Sequence, residues 1–240
     1  MNEYKLPNFK LFWDIDGTLL RTNGAAAEPY AFAASKLIGK EIIIDRKQMS
    51  GLTDYEIAKK FTLKDERIRL YKNDKNSGDY PNRNKAAYYA HGKYLVYVDS
   101  DDRMFADALS KFVEAMETYQ CSFGVFSHTG VPEPFMLEPA AIIPAHFFRK
   151  PVLNFGPVAT IVTKDYFNQI GCFPVKYGPA NDMYYNLKAA SKTNTLVFPF
   201  PLVDYRIHEG QEFNNKYSYL YNNYLYLRDA LYELDLPLNA

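Results

Sequence analysis

Short apolar runs alternate with helix-like segments along this chain, and this alternation limits the folds that it can adopt. The runs are typical of buried strands, and the segments between them have alanines or apolar residues at helical spacing. In order, strand 10–15, helix 28–38, strand 41–45, helix 53–61, strand 67–71, helix 83–90 and strand 94–98 are predicted. Such an order predicts a mostly parallel sheet flanked by helices, with ligands at the carboxyl ends of the strands.

The second half of the chain continues the same alternation. Helices are predicted at 109–119, 164–170 and 182–190, strands at 122–127, 158–162 and 195–198, and a loop interrupted by prolines at 132–144. A tyrosine-rich helix is predicted at 213–234. We therefore expect a single α/β domain over 1–212, followed by a C-terminal helical segment over 213–240.

The overall charge excludes some classes of partner. Lys plus Arg and Asp plus Glu both number 28 in 240 residues, so no global field would attract nucleic acid or an anionic membrane. The first ten residues lack the pattern of a signal peptide, and no apolar run approaches the roughly 20 residues of a membrane span. A cytoplasmic location is therefore expected.

An acidic cluster directly follows the predicted strand at 94–98. Asp99, Asp101 and Asp102 would repel one another unless a positive group lies among them. Carboxylate oxygens suit Mg²⁺ or Mn²⁺, which usually complete their ligand shell with substrate phosphates. The sequence therefore indicates a metal and diphosphate site, although an acidic turn that caps the next helix remains an alternative.

Three further polar groups lie near predicted helix starts or strand ends. Gly78 forms a turn before a predicted helix, and Arg83 lies in the first turn of that helix. Together they make a reasonable phosphate cradle. Asp182 begins a later helix, and His208 follows a strand. A plain helix N-cap remains open for Asp182, and a hydrogen-bonded structural role remains open for His208.

These elements, together with the Gly171-Cys172-Phe173 turn, resemble the inverting family 2 glycosyltransferases of the GT-A fold, in the right order over about residues 62–212. The resemblance implies a GT-A-like (Rossmann-like) sheet and transfer of a sugar from a nucleotide-diphosphate donor to an acceptor hydroxyl. It implies donor binding by Arg83, Asp99 and Asp101, and Mg²⁺ or Mn²⁺ binding by Asp101, Asp102 and His208.

The resemblance also implies that Asp182 is the general base. In that chemistry a metal neutralises the leaving diphosphate while a carboxylate deprotonates the acceptor hydroxyl. Asn181 departs from the family, in which many members have Glu before the base.

The N-terminal segment, about residues 8–62, carries a motif of a different kind. Phe12-Trp13-Asp14-Ile15-Asp16-Gly17-Thr18 resembles the first motif of haloacid dehalogenase-type phosphatases, which implies Asp14 as nucleophile and Asp16 as general acid/base. Ser127, Lys164 and Asp182 could supply the remaining motifs of a Mg²⁺-dependent phosphatase in the right order, although the fit is loose.

Two arrangements follow for this chain. In one, the N-terminal segment replaces the usual nucleotide-binding start of a transferase, with Asp45 near the base of the donor. In the other, the chain is a hybrid in which neither site is complete. A binding protein with decayed chemistry is a third possibility, while the donor sugar, the acceptor and the oligomeric state cannot be read from the sequence.

Overall fold

The computed structural model describes residues 12–14, 69, 71, 73–99, 102–205 and 216–238. Its strands are β1 Phe12–Asp14, β2 Tyr94–Asp99, β3 Arg103–Met104, β4 Phe123–Phe126, β5 Phe135–Leu137, β6 Thr160–Thr163, β7 Thr195–Phe198 and β8 Val203–Asp204. Its helices are α1 Asp79–Tyr89, α2 Ala108–Tyr119, α3 Pro139–Phe148, α4 Lys164–Ile170, α5 Asn181–Ala190 and α6 Lys216–Glu233.

Within the described residues, six strands form a sheet in the order β1-β2-β6-β4-β7-β5. Strands β1, β2, β4 and β7 share one direction, and β6 and β5 run against them. A separate ribbon pairs β3 with β8, antiparallel. The predicted mostly parallel α/β sheet is confirmed, with two reversed strands.

The two faces of the sheet are covered by separate apolar clusters. One face packs against α2, whose buried positions Phe112, Val113 and Met116 follow the helical repeat. The other face carries α1, α3, α4, α5 and the inner side of α6. The result is three layers, helices on sheet on helices, as the alternation of elements predicts.

The sheet brings the two acidic segments together at one edge. Strands β1 and β2 pair in parallel, with Asp14 in register with Asp99. For β1 the structure describes only the backbone. The carboxyl end of β2 therefore lies beside the end of β1, as expected from the sequence.

Several predicted boundaries need correction. Helix α1 begins at Asp79, so Arg83 lies in its second turn and not in its first. Pro81 is tolerated there because the third N–H of a helix has no intrahelical acceptor. Arg69 and Tyr71 have no regular secondary structure, contrary to the strand predicted at 67–71.

The predicted loop at 132–144 is wrong. Residues Phe135–Leu137 form β5, an edge strand, and Pro139 starts α3 at its first position, where proline is favoured. The completely buried Ile142 and Ile143 hold α3 against the sheet, and packing outweighs the hydrogen bond that Pro144 removes from the helix interior. None of the helices in the described part of the chain combines the length and apolar character that crossing a bilayer requires.

Candidate functional site

The carboxyl end of β2 presents an ion pair. Arg83, from α1, donates through Nη2 to Oδ1 of Asp99 at 2.7 Å, and its side chain is only 8% exposed. The guanidinium Cζ also lies 5.7 Å from the ring centre of Tyr97 and 5.9 Å from that of Tyr80. The pairing joins two residues predicted to bind the donor, and the aromatic rings restrict the orientation of the guanidinium.

The backbone of Asp102 lies next to the end of β2. The Asp102 backbone N–H donates to the Asp99 carbonyl at 3.1 Å, and Asp102 is buried. The strand β3 starts at Arg103, directly after Asp102, and pairs with β8. The backbone of β8 therefore lies beside the segment that follows Asp102. Asp101 and His208, which were predicted to complete a metal site, lie outside the described residues.

Asp182 occupies the second position of α5 and is buried. Its Oδ1 accepts a hydrogen bond from the Met183 backbone N–H at 2.8 Å. A methyl group placed on Gly156 would lie 3.3 Å from its Oδ2, so the backbone before β6 passes close to the carboxylate. Asp182 therefore lies on α5, between α1 and the segment that leads into β6.

Burial raises the pKa of Asp182 from 3.8 to about 7. The Met183 N–H, the positive charge of Arg83 and the nearby Tyr80 hydroxyl act in the opposite direction. A carboxylate with a pKa near neutrality can accept a proton and later release it, which is what a general base requires. The N-cap alternative does not describe this geometry, because Asp182 lies inside the helix and Ala180 occupies the cap position.

Two tyrosines near Asp182 were missed by the sequence analysis. The Tyr80 hydroxyl donates to the Pro179 carbonyl at 3.4 Å, and burial together with the charge of Asp182 raises the pKa of Tyr80 well above 10. The pKa of Tyr226, in α6, is raised by burial and by the same carboxylate. Tyr80 precedes Arg83 by three helical positions, a spacing that could have indicated a shared face. No comparable signal in the sequence connects Tyr226 or Gly156 with Asp182.

Asparagine side chains fix the elements that surround the site. Asn84 donates to the Phe173 carbonyl at 2.9 Å and accepts from the Phe173 N–H at 3.0 Å, which joins α1 to the predicted Gly171-Cys172-Phe173 turn. Asn186 donates to the carbonyls of Leu153 and Phe155, both at 3.0 Å. These bonds hold α1 against the turn at 171–173 and hold the segment before β6 against α5.

Two residues of the alternative phosphatase site, Ser127 and Lys164, do not meet. Ser127 follows the end of β4, whereas the Thr163 N–H donates to Ser122 at the start of β4, so Lys164 lies at the opposite end of the strand. The five residue steps from Ser122 to Ser127 span about 16 Å. Lys164 instead donates to the Ala90 carbonyl at the end of α1. This placement gives no support to a phosphatase site; Asp16 and Asp45 lie outside the described residues.

In the described ranges, no three His, Cys, Asp or Glu side chains are grouped so that they could hold a metal ion. Two of the three predicted ligands, Asp101 and His208, are not among those residues. The predicted metal site therefore stays a prediction.

Comparison with solved structures identifies the fold. The chain is similar to Staphylococcus aureus TarS, residues 1–349, in complex with UDP-GlcNAc, with a TM-score of 0.60 and 18% identity over 78% of this chain and 56% of TarS. The complex of the same protein with UDP gives a TM-score of 0.56 and 19% identity over 78% and 55% of the two chains. The α/β fold is that of the GT-A glycosyltransferases.

Curated relatives match shorter stretches. TuaG of Bacillus subtilis, named as a glycosyltransferase of teichuronic acid biosynthesis, is 38% identical over 82 residues, which are 34% of this chain and 32% of TuaG. An uncharacterized glycosyltransferase of Methanocaldococcus jannaschii is 42% identical over 62 residues, 26% of this chain and 21% of that protein. The chain thus spans about a third or less of the length of these relatives.

Glycosyl transferase family 2 is the family whose sequence profile matches residues 42–169. The phosphatase-like segment predicted at 8–62 gains no support, because its residues 42–62 lie inside the transferase match. The match covers more than half of the 240 residues, and the chain belongs to glycosyl transferase family 2.

Proposed function

We propose that this protein is an inverting, metal-dependent glycosyltransferase that moves a sugar from a nucleotide-diphosphate donor to an acceptor hydroxyl. One observation carries the proposal: the buried Asp182 carboxylate, whose pKa burial raises to about 7, lies within the electrostatic influence of Arg83, the ion-pair partner of Asp99 at the carboxyl end of β2. Family membership and the similarity to TarS, which was solved with UDP-GlcNAc, make a uridine-linked sugar the first donor to test.

In this proposal Asp182 accepts the proton of the acceptor hydroxyl as that oxygen attacks the anomeric carbon. The sugar-phosphate bond breaks on the opposite side, and the diphosphate leaves with the bonding electrons. Single displacement of this kind inverts the anomeric centre. A base with a pKa near the working pH balances availability of the carboxylate against driving force for proton transfer.

Arg83 and Asp99 bind the donor nucleotide in this scheme. The Arg83 guanidinium lies where it can attract the diphosphate, and its pairing with Asp99 fixes its orientation. Asp45, in the part of the chain covered by the family match, is proposed to approach the nucleotide base.

A divalent cation, Mg²⁺ or Mn²⁺, is proposed to be held by Asp101, Asp102 and His208. The buried Asp102, whose backbone N–H donates to the Asp99 carbonyl, has carboxylate oxygens of the kind that hard cations prefer. When bound, the cation would supply positive charge that stabilises the leaving diphosphate.

Thermal unfolding with nucleotides tests the donor site. UDP with Mn²⁺ should raise the melting temperature of the wild-type protein by about 5 °C or more at saturation, because only the folded chain binds it. Arg83→Met should lose most of this shift. Lys85→Met removes an exposed cation of the same helix and should keep it.

An equal shift without Mn²⁺ would contradict the metal dependence. Absence of a shift with every nucleoside diphosphate, UDP and GDP included, would contradict the donor assignment itself.

A further inference from the structure

The solvent-facing side of α6 carries large apolar residues at alternating spacings of three and four. We call this stripe the outer seam, which consists of Tyr217, Leu220, Tyr224, Leu227 and Leu231. Spacings of three and four in alternation define the a and d positions of a heptad repeat, the pattern by which one helix packs against another. The pattern covers the whole length of the helix.

The opposite side of α6 is already packed. Ala230 is completely buried, and Leu225 and Tyr226 lie against the main apolar cluster. Asp229 accepts a hydrogen bond from the Tyr177 hydroxyl at 2.9 Å. The rotation of α6 about its axis is therefore fixed, and the outer seam cannot turn toward the core.

The outer seam is extensively exposed to solvent. Tyr217 is 89% exposed, Leu220 74% and Tyr224 62%, and Tyr221 beside them is 64% exposed. With Leu227 and Leu231, these side chains present an area that approaches the roughly 800 Å² per partner of a standard protein interface. A contiguous apolar patch of this size is larger than a monomer ordinarily leaves in water.

The charges of α6 favour another protein helix over a membrane surface. The helix has one lysine, one arginine, one aspartate and one glutamate, so its net charge is zero. Arg228 is paired with Asp229 at 2.6 Å. A helix that binds an anionic membrane needs an excess of basic residues on its polar face, and α6 has no such excess.

We propose that the outer seam is a dimer interface in which α6 of one protomer packs against α6 of a second copy across a two-fold axis. An uncharged heptad seam is self-complementary, because a second copy presents the same spacing and the same side chains. Each protomer thereby covers the exposed residues of the other. The proposal does not depend on the enzymatic function proposed above.

The interface would also stabilise the entry to the candidate active site. The Gly178–Ala180 turn leads directly into α5 and Asp182, and it packs against α6, where a methyl group on Gly178 would meet the Asn222 side chain at 2.9 Å. A partner that holds α6 in place would therefore also hold this turn.

Sedimentation equilibrium of the full chain tests the proposal. The wild-type protein should have twice the mass of one chain at tens of micromolar, whereas Leu220→Glu/Leu227→Glu should be a monomer. Tyr232→Glu is the matched control, because Tyr232 is on the same helix, is 87% exposed and lies outside the outer seam. That control should remain a dimer.

Far-ultraviolet circular dichroism and thermal unfolding verify that each variant is folded, and Leu220→Lys/Leu227→Lys provides a second seam variant. A monomeric wild-type protein would overturn the proposal. It would indicate that some other segment or partner covers the seam. Folded seam variants that stay dimeric, or a control variant that dissociates equally, would also overturn it.

Discussion

Burial of Asp182 has two opposite effects, one on the reactivity of this residue and one on the stability of the protein. The folded protein raises the pKa of Asp182 to about 7, above the value of about 3.9 for an unfolded aspartate. The folded state therefore binds this proton more tightly than the unfolded state. The stability that this proton contributes is fully present below about pH 4 and is lost as the pH rises through about 7.

Asp182→Asn is accordingly expected to stabilise the protein at pH 8. The pKa difference of about three units corresponds to at most about 4 kcal/mol, and we expect a gain of about 1 to 3 kcal/mol in the free energy of unfolding. The amide oxygen of asparagine can still accept from the Met183 N–H. Urea unfolding of both proteins at pH 8 and pH 4.5 measures the effect.

The gain should shrink or vanish at pH 4.5, where the wild-type carboxyl is protonated in the folded state. A variant that is less stable than the wild type at pH 8 would show that the carboxylate contributes favourable contacts that exceed its desolvation cost.

At the same scale, the sequence predicted the residue types at the site better than their environment. Strand ends and helix starts singled out Arg83, Asp99 and Asp182, and the family resemblance implied that they share one site. The ion pair joins residues 16 positions apart on different elements, and the pKa near 7 depends on burial of Asp182 near α1, about a hundred residues earlier in the chain; no local pattern encodes either.

The connection between α1 and the Gly171-Cys172-Phe173 turn depends on one side chain. Both polar ends of the Asn84 amide bond the Phe173 backbone, 89 residues away. Asn84→Ala should lower the free energy of unfolding by about 2 kcal/mol, because each lost hydrogen bond costs about 1 kcal/mol and leaves a partly buried backbone group unpaired. Urea unfolding measures this change, with the slope of the free energy of unfolding against urea concentration held the same for both proteins.

Asn223→Ala is the matched control. Asn223 is an exposed residue in the middle of α6, so its substitution reports the gain in helix propensity that both changes share, about half a kcal/mol. Equal stabilities for the two variants would contradict the role assigned to Asn84.

The elements themselves were predictable where apolar periodicity was strong. β2, β7, α2 and α5 lie within a residue or two of their predicted bounds. The exception at 132–144 has a physical cause: proline usually marks a loop, but here Pro139 lies at a helix start and Pro144 is held in place by buried isoleucines. Tertiary packing decided that segment, and the sequence pattern could not reveal it.

For the whole molecule, family membership now accounts for a region that the sequence motifs divided between two families. The match to glycosyl transferase family 2 begins at residue 42, within the segment that resembled a phosphatase. A short motif such as Asp14-Ile15-Asp16-Gly17 is weak support for a family when the other residues of its site do not meet, as Ser127 and Lys164 do not.

The central claim is tested most directly by the anomer of the sugar released from a donor. Water can replace the unknown acceptor, so slow hydrolysis of an α-linked uridine diphosphate sugar with Mn²⁺ can be followed by proton NMR. We predict that UDP and the β-anomer appear first, and that Asp182→Asn lowers the rate by about 10²- to 10⁴-fold. Initial release of the α-anomer, or an unchanged rate in the variant, would contradict the account.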